Sequence, residues 1–364
     1  MDMSGATHNR LDFRVDWGEL VGMNPSSDAT PKVVIRLGHL GDVALTTGVL
    51  SHWHQTRGET FVFITRAANA PLLDNHPAVV RVVPLEDGAL KEAWPATARA
   101  LAREHAGHEL LDLHGTLRSR VLSWLWRGPV RRYPKLGLER RLYALTRRDS
   151  LRKKLESTTV PQRYAMARDP RPPEAADLIP RIHLTDDERA AAAARLKGFN
   201  THKPRIALHP YATHPAKQWP RPHWLGLTAL LAASGMDWFV VGRDAEPLLP
   251  GNGRDYTNAT DLRETCALME RADLLVTADS GPMHLAGGVG TPVAALFGPT
   301  TRVWGFYPAG PLDRVIEADL GCRPCSLHGG KPCASGYRCL SSIEPEAVMA
   351  VIRQMLGRIR TKAS

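Results

Sequence analysis

Asp279, Ser280, Gly281 and His284 lie in "TADSGPMHLAGG", where an apolar run ends and a helix is expected to begin. Burying polar groups without partners costs on the order of a few kcal/mol each, so this cluster requires partners. One reading is a helix cap. The other is a ligand site. Ser280 and Gly281 put free backbone N–H groups at a helix start, where unpaired donors and the helix dipole favour a diphosphate. His284 falls one turn in, on the side of Ser280 (i, i+4). Asp279 then has to meet something other than phosphate, such as a sugar or ribose hydroxyl.

Three more stretches carry chemistry. In "RLGHLGDVALTT" (Arg36 to Thr47), Gly38 and Gly41 permit a sharp strand-to-helix turn. Asp42 either caps that helix or takes a proton as a general base. No Walker lysine follows. "HPYATHPAKQWP" (His209 to Pro220) sets Lys217 at a strand's carboxyl end, to neutralise a phosphate or to lie beside Trp219 as a surface lysine. Thr213 can hydrogen-bond the same ligand. "VVGRDAE" offers Asp244 either to ribose hydroxyls or to solvent. Cys322, Cys325, Cys333 and Cys339 read C-x2-C-x7-C-x5-C, with Cys266 apart. Such a run suits a structural zinc or iron, or reduced thiols packed under a loop. No DxD pair demands a catalytic metal.

The elements that must position these residues alternate. "PKVVIRL", "TFVFITR", "VVRVVPL" and "ELLDLHG" read as strands, with helices after the first glycine turn and over "PATARALAREHAG". The proline-rich stretch 168–182 reads as a linker. The pattern then restarts with a helix capped by Thr185 and Glu188, followed by the strands "PRIALHP", "MDWFVVG", "DLLVTAD" and "TPVAALFG". Strands alternating with helices indicate doubly wound parallel sheets, an α/β class. The expected organisation is a loose arm over 1–30, a Rossmann-like domain over 31–167, the linker, a second such domain over 183–345, and a helix over 346–364. A cleft between the domains would collect the polar clusters, all of which fall at carboxyl ends of strands.

The chain has 364 residues and a formal net charge of +10, which implies an anionic partner. From Arg118 to Lys154 there are 13 Lys/Arg against two acids, interleaved with Trp124, Trp126, Tyr133 and Tyr143. That mixture suits a membrane interface or an acidic surface, or simply a solvated basic face. No apolar run approaches the ~20 residues that span a bilayer, and the first 30 residues lack a secretory core, so a cytoplasmic protein is expected. A nucleic-acid binder would explain the charge, but RRM, KH and zinc-finger spacings are absent and the basic run leaves Asp42 and Asp279 without a purpose.

Taken in order, "IRLGHLGDVALTT", "DLHGTLRSR", "HPYATHPAKQWP", "TADSGPMHLAGGVGTPVAALFGPT" and the tail "CRPC…C…CL" resemble glycosyltransferase family 9, the heptosyltransferases. The resemblance implies the two-domain GT-B architecture and metal-independent, inverting transfer of heptose from ADP-heptose to lipid-anchored sugars of the lipopolysaccharide core, Kdo or heptose. It makes Asp42 the base and Lys217 the diphosphate-neutralising lysine. It gives Asp279, Ser280, Gly281 and His284 to the donor. Of the family's hydroxyls before the lysine only Thr213 is retained, Ala212 standing at the other position, and Asp244 corresponds to a ribose-binding acid. The family's "D-x-Q-G" becomes "DLHG", with His114 in place of Gln; His114, Arg118 and Arg120 become candidates for an acidic acceptor sugar. The expected partners are a nucleotide sugar, an anionic glycan on a lipid anchor and the inner face of the inner membrane, with no nucleic acid. Another nucleotide sugar, or a protein acceptor, is the alternative within the same fold. Some protein-heptosylating relatives hold iron at four cysteines, so a structural metal at Cys322, Cys325, Cys333 and Cys339 is carried as an expectation.

Overall fold

The structure, a computed structural model, describes residues 30–330, 333 and 335–363. The arm expected over 1–30 lies outside the described residues except for its last position.

Strand β1 (Lys32–Ile35) feeds helix α1 (Leu40–Arg57), followed by β2 (Phe61–Arg66) and β3 (Val79–Leu85). Short α2 (Asp87–Leu90) and α3 (Trp94–Glu104) lead to β4 (Leu110–Asp112), α4 (Leu117–Leu125) and β5 (Val130–Arg132). Three helices then run without a strand: α5 (Gly137–Thr146), α6 (Asp149–Glu156) and α7 (Val160–Ala165). The second half holds α8 (Asp186–Arg195), β6 (Arg205–His209), α9 (Arg221–Ala233), β7 (Asp237–Val240), α10 (Leu262–Glu270), β8 (Leu274–Ala278), α11 (Gly281–Gly288), β9 (Val293–Phe297) and β10 (Arg314–Glu317). It ends in α12 (Arg338–Ser341) and α13 (Pro345–Ala363).

All recorded strand pairs are parallel, in two five-stranded sheets ordered β3-β2-β1-β4-β5 and β10-β9-β8-β6-β7. This is the doubly wound α/β arrangement expected from the alternation. β1, β2, β4, β6, β8 and β9 are almost wholly buried, as strands covered by helices on both faces must be. The first sheet reverses its strand order between β1 and β4, the second between β6 and β8. Ligands of such sheets sit beyond the carboxyl ends of strands at the reversal. The loops after β1, β4, β6 and β8 carry Asp42, His114, Lys217 and Asp279.

The two sheets share a core. One cluster runs from Val43 and Val49 of α1 through Leu178 and Ile182 to Met283 and Leu285 of α11. The segment 168–182 is not a loose tether: Leu178 and Ile182 are buried, and Gly48 of α1 leaves room only for the backbone carbonyls of Leu178 and Ile179. α13 covers the second sheet from outside, laying Val348, Ile352 and Met355 against Trp224, Leu227 and Leu231 of α9.

Candidate active site

The first half of the site is built where β1 turns into α1. His39 occupies the N-cap position and makes no side-chain cap bond. Asp42, in the first turn, does not cap either. Its Oδ2 lies 2.5 Å from Arg36 Nη2, and its Oδ1 accepts a hydrogen bond from the Tyr164 hydroxyl at 3.0 Å. Arg36 is fixed in turn, donating through Nη1 to the Leu113 carbonyl at 2.7 Å, with its guanidinium 5.1 Å from the Tyr164 ring centre. Burial pushes the Asp42 carboxyl up, but the Arg36 charge and the hydrogen bonds from Arg36 and Tyr164 outweigh it and hold it below the usual carboxylate range. Burial raises the Tyr164 phenol well above its ordinary value, so it stays a donor. The carboxylate is therefore charged, oriented, and left with spare lone pairs.

Other cations crowd this carboxylate. Asp112, fully buried, accepts from the N–H groups of His114 and Gly115 at 3.0 and 2.8 Å and so shapes the turn after β4. His114 is pushed down to about 3 by burial, then by the Arg36 and Lys135 charges, with Arg118 adding a smaller push. Lys135 and Arg140 are both depressed by burial first, and Arg36 pushes each down further. Arg118 and Arg120 themselves stand exposed on the first turns of α4.

The second half is built after β6 and β8. Lys217 Nζ lies 2.7 Å from Asp279 Oδ2, and the Thr300 hydroxyl donates to the same oxygen at 2.5 Å. Ser280 is the N-cap of α11 by position, yet its side chain makes no cap bond. Its hydroxyl turns back instead, 3.4 Å from both Thr277 Oγ1 and His209 Nδ1. No side-chain cap therefore covers the first N–H groups of α11, the arrangement that receives an anion. His284 is buried and pushed down to about 4 by desolvation, against the pull of Asp279 and then Asp42, with Lys217 opposing them. It is a neutral imidazole that feels charges from both halves.

Glycine makes that closeness possible. A Cβ on Gly41 would sit 3.0 Å from His284 Cδ2 and 3.1 Å from Gly281 Cα. A Cβ on Gly281 would lie 3.2 Å from the Gly41 nitrogen. The N-termini of α1 and α11 thus abut backbone to backbone, and Asp42 and the Lys217–Asp279 pair act on one histidine. Thr213 is exposed on the loop ahead of Lys217. Asp244 is half-buried after β7, its Oδ1 accepting from Glu246 N at 3.2 Å and its carbonyl from Asn258 Nδ2 at 2.7 Å.

The family model described as Glycosyltransferase family 9 (heptosyltransferase) matches residues 96–331, more than half of the chain. The chain belongs to that family. It is 28% identical over 192 residues to lipooligosaccharide heptosyltransferase 2 of Haemophilus influenzae, a match taking in 47% of this chain and 54% of that protein. The chain therefore spans about half the length of that relative. A glycosyltransferase family 9 structure from Veillonella parvula superposes with a TM-score of 0.72 at 20% identity, covering 91% of this chain and 98% of its own. The E. coli ADP-heptose LPS heptosyltransferase II structure gives 0.69 at 20% identity, over 90% and 99% of the two chains. At that identity the structures show a shared fold, of GT-B type.

In this family 9 chain the cysteine-bearing loop rests on the site. Gly329, at φ +86°, would bring a Cβ to 3.0 Å from Lys217 Cγ and 3.2 Å from His214 Cβ. Ser326 Oγ accepts from His328 N and Gly329 N at 3.3 and 2.7 Å, and Trp304 Nε1 donates to the Ser326 carbonyl at 3.0 Å. His328 on that loop is depressed by partial desolvation of its ring, then by Lys217 and Arg140. The cysteines are all free thiols: Cys322 exposed, Cys325 and Cys333 half-buried, Cys339 buried. They lie close enough for Cys322 and Cys333 to add to the burial that raises the Cys325 thiol. Among the described residues, however, no group of three or more His, Cys, Asp or Glu is arranged to hold a metal ion.

Sequence reading did not assign Arg36, Tyr164, Thr300, Lys135, Arg140 or His328. Arg36 and Thr300 stand inside quoted motifs. Tyr164 lies 122 residues from Asp42 with no local pattern to single it out.

Proposed function

We propose that this chain is an inverting glycosyltransferase that moves heptose from ADP-heptose to an anionic sugar, Kdo or heptose, of a lipid-anchored lipopolysaccharide core. The observation that carries the reading is the meeting of Asp42 with Lys217, Asp279 and His284 across the abutting ends of α1 and α11. The first half of the chain (31–167) would take the acceptor. The second (183–345) would hold the donor, with 168–182 joining them and 346–364 closing the fold.

Asp42 accepts the proton of the acceptor hydroxyl as its oxygen attacks the anomeric carbon. The bond from that carbon to the diphosphate oxygen breaks, and ADP departs with the electron pair from the opposite face, inverting the centre. Lys217 and the uncapped N–H groups at Ser280 and Gly281 meet the charge that develops on the diphosphate. These groups supply the charge stabilisation for which other enzymes use a metal ion, so no catalytic cofactor is invoked. Asp279 orients Lys217 and is available to a sugar hydroxyl, as are Thr213 and Asp244 on the nucleotide side. His114, Arg118 and Arg120 would face the acidic acceptor. A depressed Asp42 is a weaker base than a free carboxylate, but it is fully ionised at neutral pH, and its aim is fixed before the acceptor arrives. Because the acceptor is lipid-anchored, the reading sets the protein against the inner face of the inner membrane. Among the described residues no helix is long and apolar enough to cross one.

Calorimetric titration with ADP-heptose, ADP, UDP and GDP tests the donor. Selective binding of ADP and ADP-heptose is expected. Preference for UDP or GDP would keep the transferase and replace its sugar, and absence of binding to all four would overturn the reading.

A further inference from the structure

Among the described residues seven large apolar side chains are exposed, and six of them fall between Leu117 and Leu145. Their spacing is orderly. On α5, Leu138, Leu142 and Leu145 recur at i, i+4 and i+7 and are 67%, 40% and 81% exposed. The opposite side of the helix carries Tyr143, buried against Trp304, and Arg140, which donates to the Trp304 carbonyl at 3.4 Å. α4 divides its apolar residues: Leu122 is buried in the core of the first sheet beside Ser119 and Ser123, while Leu117 and Trp124 point outward at 73% and 75% exposure. A helix of a soluble domain turns its apolar stripe to the core. α5 turns its leucines away, and α4 leaves Leu117 and Trp124 in solvent.

Charge surrounds the stripes. Of the 13 cations from Arg118 to Lys154, Arg118, Arg120, Arg141 and Arg148 are exposed beside the leucines. The two acids of the stretch are already paired, Glu139 with Lys154 at 2.8 Å and Asp149 with Arg152 and Lys153 at 2.5 and 3.1 Å. A second copy of the chain would bring cations against cations. A polyanion such as RNA would leave the leucines and Trp124 in water. A bilayer of anionic phospholipid satisfies both features, taking the apolar side chains at its interface and the arginines at its headgroups.

We infer that the outward faces of α4 and α5 dock the protein on anionic phospholipid. α5 then stands between lipid and site, with leucines outward and Arg140 inward among the charges acting around Asp42. This deepens the proposed transfer, and in linking the surface to a membrane-borne acceptor it rests on that reading. The lipid contact itself is measured separately.

The test is co-sedimentation of the full chain with vesicles of phosphatidylglycerol in phosphatidylethanolamine, and with vesicles of phosphatidylcholine, at low and high salt. Binding to the first, weakened by salt and at least about tenfold weaker in Leu138→Ser/Leu142→Ser/Leu145→Ser, is expected. Arg141→Glu/Arg148→Glu should weaken it by a similar factor and provides a second reading should the leucine variant fold poorly. Calorimetry with ADP-heptose should not distinguish either variant from wild type, which separates failure of the surface from failure of the donor assignment. Absence of binding to phosphatidylglycerol vesicles, equal binding to phosphatidylcholine, or indifference to both variants would overturn the inference. So would a wild-type dimer, by light scattering, that the leucine substitutions convert to monomer.

Discussion

Arg36 and Tyr164 each hold one oxygen of Asp42, at 2.5 Å and 3.0 Å. Asp42→Asn should leave ADP-heptose affinity unchanged and lower kcat by about 10²–10⁴-fold, the usual worth of a general base. Tyr164→Phe deletes one hydrogen bond to the charged form, so the carboxyl rises toward its ordinary value and the acid limb of kcat/KM moves to higher pH. A Tyr164→Phe enzyme with an unmoved acid limb would mean that this carboxylate does not titrate in the rate-determining proton transfer.

Lys217 is held by Asp279, which Thr300 also engages. Lys217→Ala should cost about 10²–10³-fold in kcat, the range for removing one preorganised donor to developing charge. It also strands the Asp279 carboxylate, so stability falls. Lys217→Ala/Asp279→Ala should then be more stable than the sum of the two single losses predicts, since removing both avoids the unpaired charge. Additive losses in urea titrations would show that the pair is not coupled.

If Lys217 and the end of α11 meet the diphosphate as proposed, prolonged chelation should leave the transfer rate unchanged. Loss of activity that one divalent cation restores would move that task from the protein to a metal.

Stability should fall on mild acidification. Burial pushes His76, His209 and His284 each down to about 4. In the unfolded chain their ordinary value is about 6.5, so between these values the unfolded state binds protons that the native state refuses. Stability is complete above about pH 6.5 and is lost as pH drops toward 4, at up to about 1.4 kcal/mol per pH unit for each histidine. His76 uses both ring nitrogens, accepting from Ala78 N at 3.2 Å through Nδ1 and reaching the Thr47 carbonyl at 3.0 Å through Nε2. Urea titrations at pH 7.0, 5.5 and 4.5 in wild type and His76→Gln measure the slope, which the variant should flatten by one proton.

What the sequence disclosed follows locality. Strands β1 to β4 and β6 to β9, with Asp42, Lys217, Asp279 and His284, each announce themselves within a few neighbouring residues, through apolar runs ended by glycine or acid. Tyr164 does not, because its partner arrives from the other end of the first sheet's chain segment. β5 escaped notice since an edge strand of three residues with two arginines has no apolar alternation to detect. α5 was concealed differently. A reader expecting leucines to face inward finds in α5 arginine and tyrosine at the inward positions instead. The cysteine spacing drew attention to its loop, but only the fold shows that Gly329 of that loop lies against Lys217.

Arg163 and Tyr164 are consecutive residues of α7 with divided duties. Arg163 Nη2 donates to the Trp304 carbonyl at 2.9 Å, in the segment that follows β9 of the second sheet, while Tyr164 holds Asp42 of the first. Arg163→Met should lower kcat more than donor affinity, and equal effects on both would show the two contacts to be independent. One short helix is thus a strut fastened to the far half of the molecule and aimed at Asp42. Whatever loosens its hold on Trp304 is expected to reach the Asp42 carboxylate through the neighbouring tyrosine.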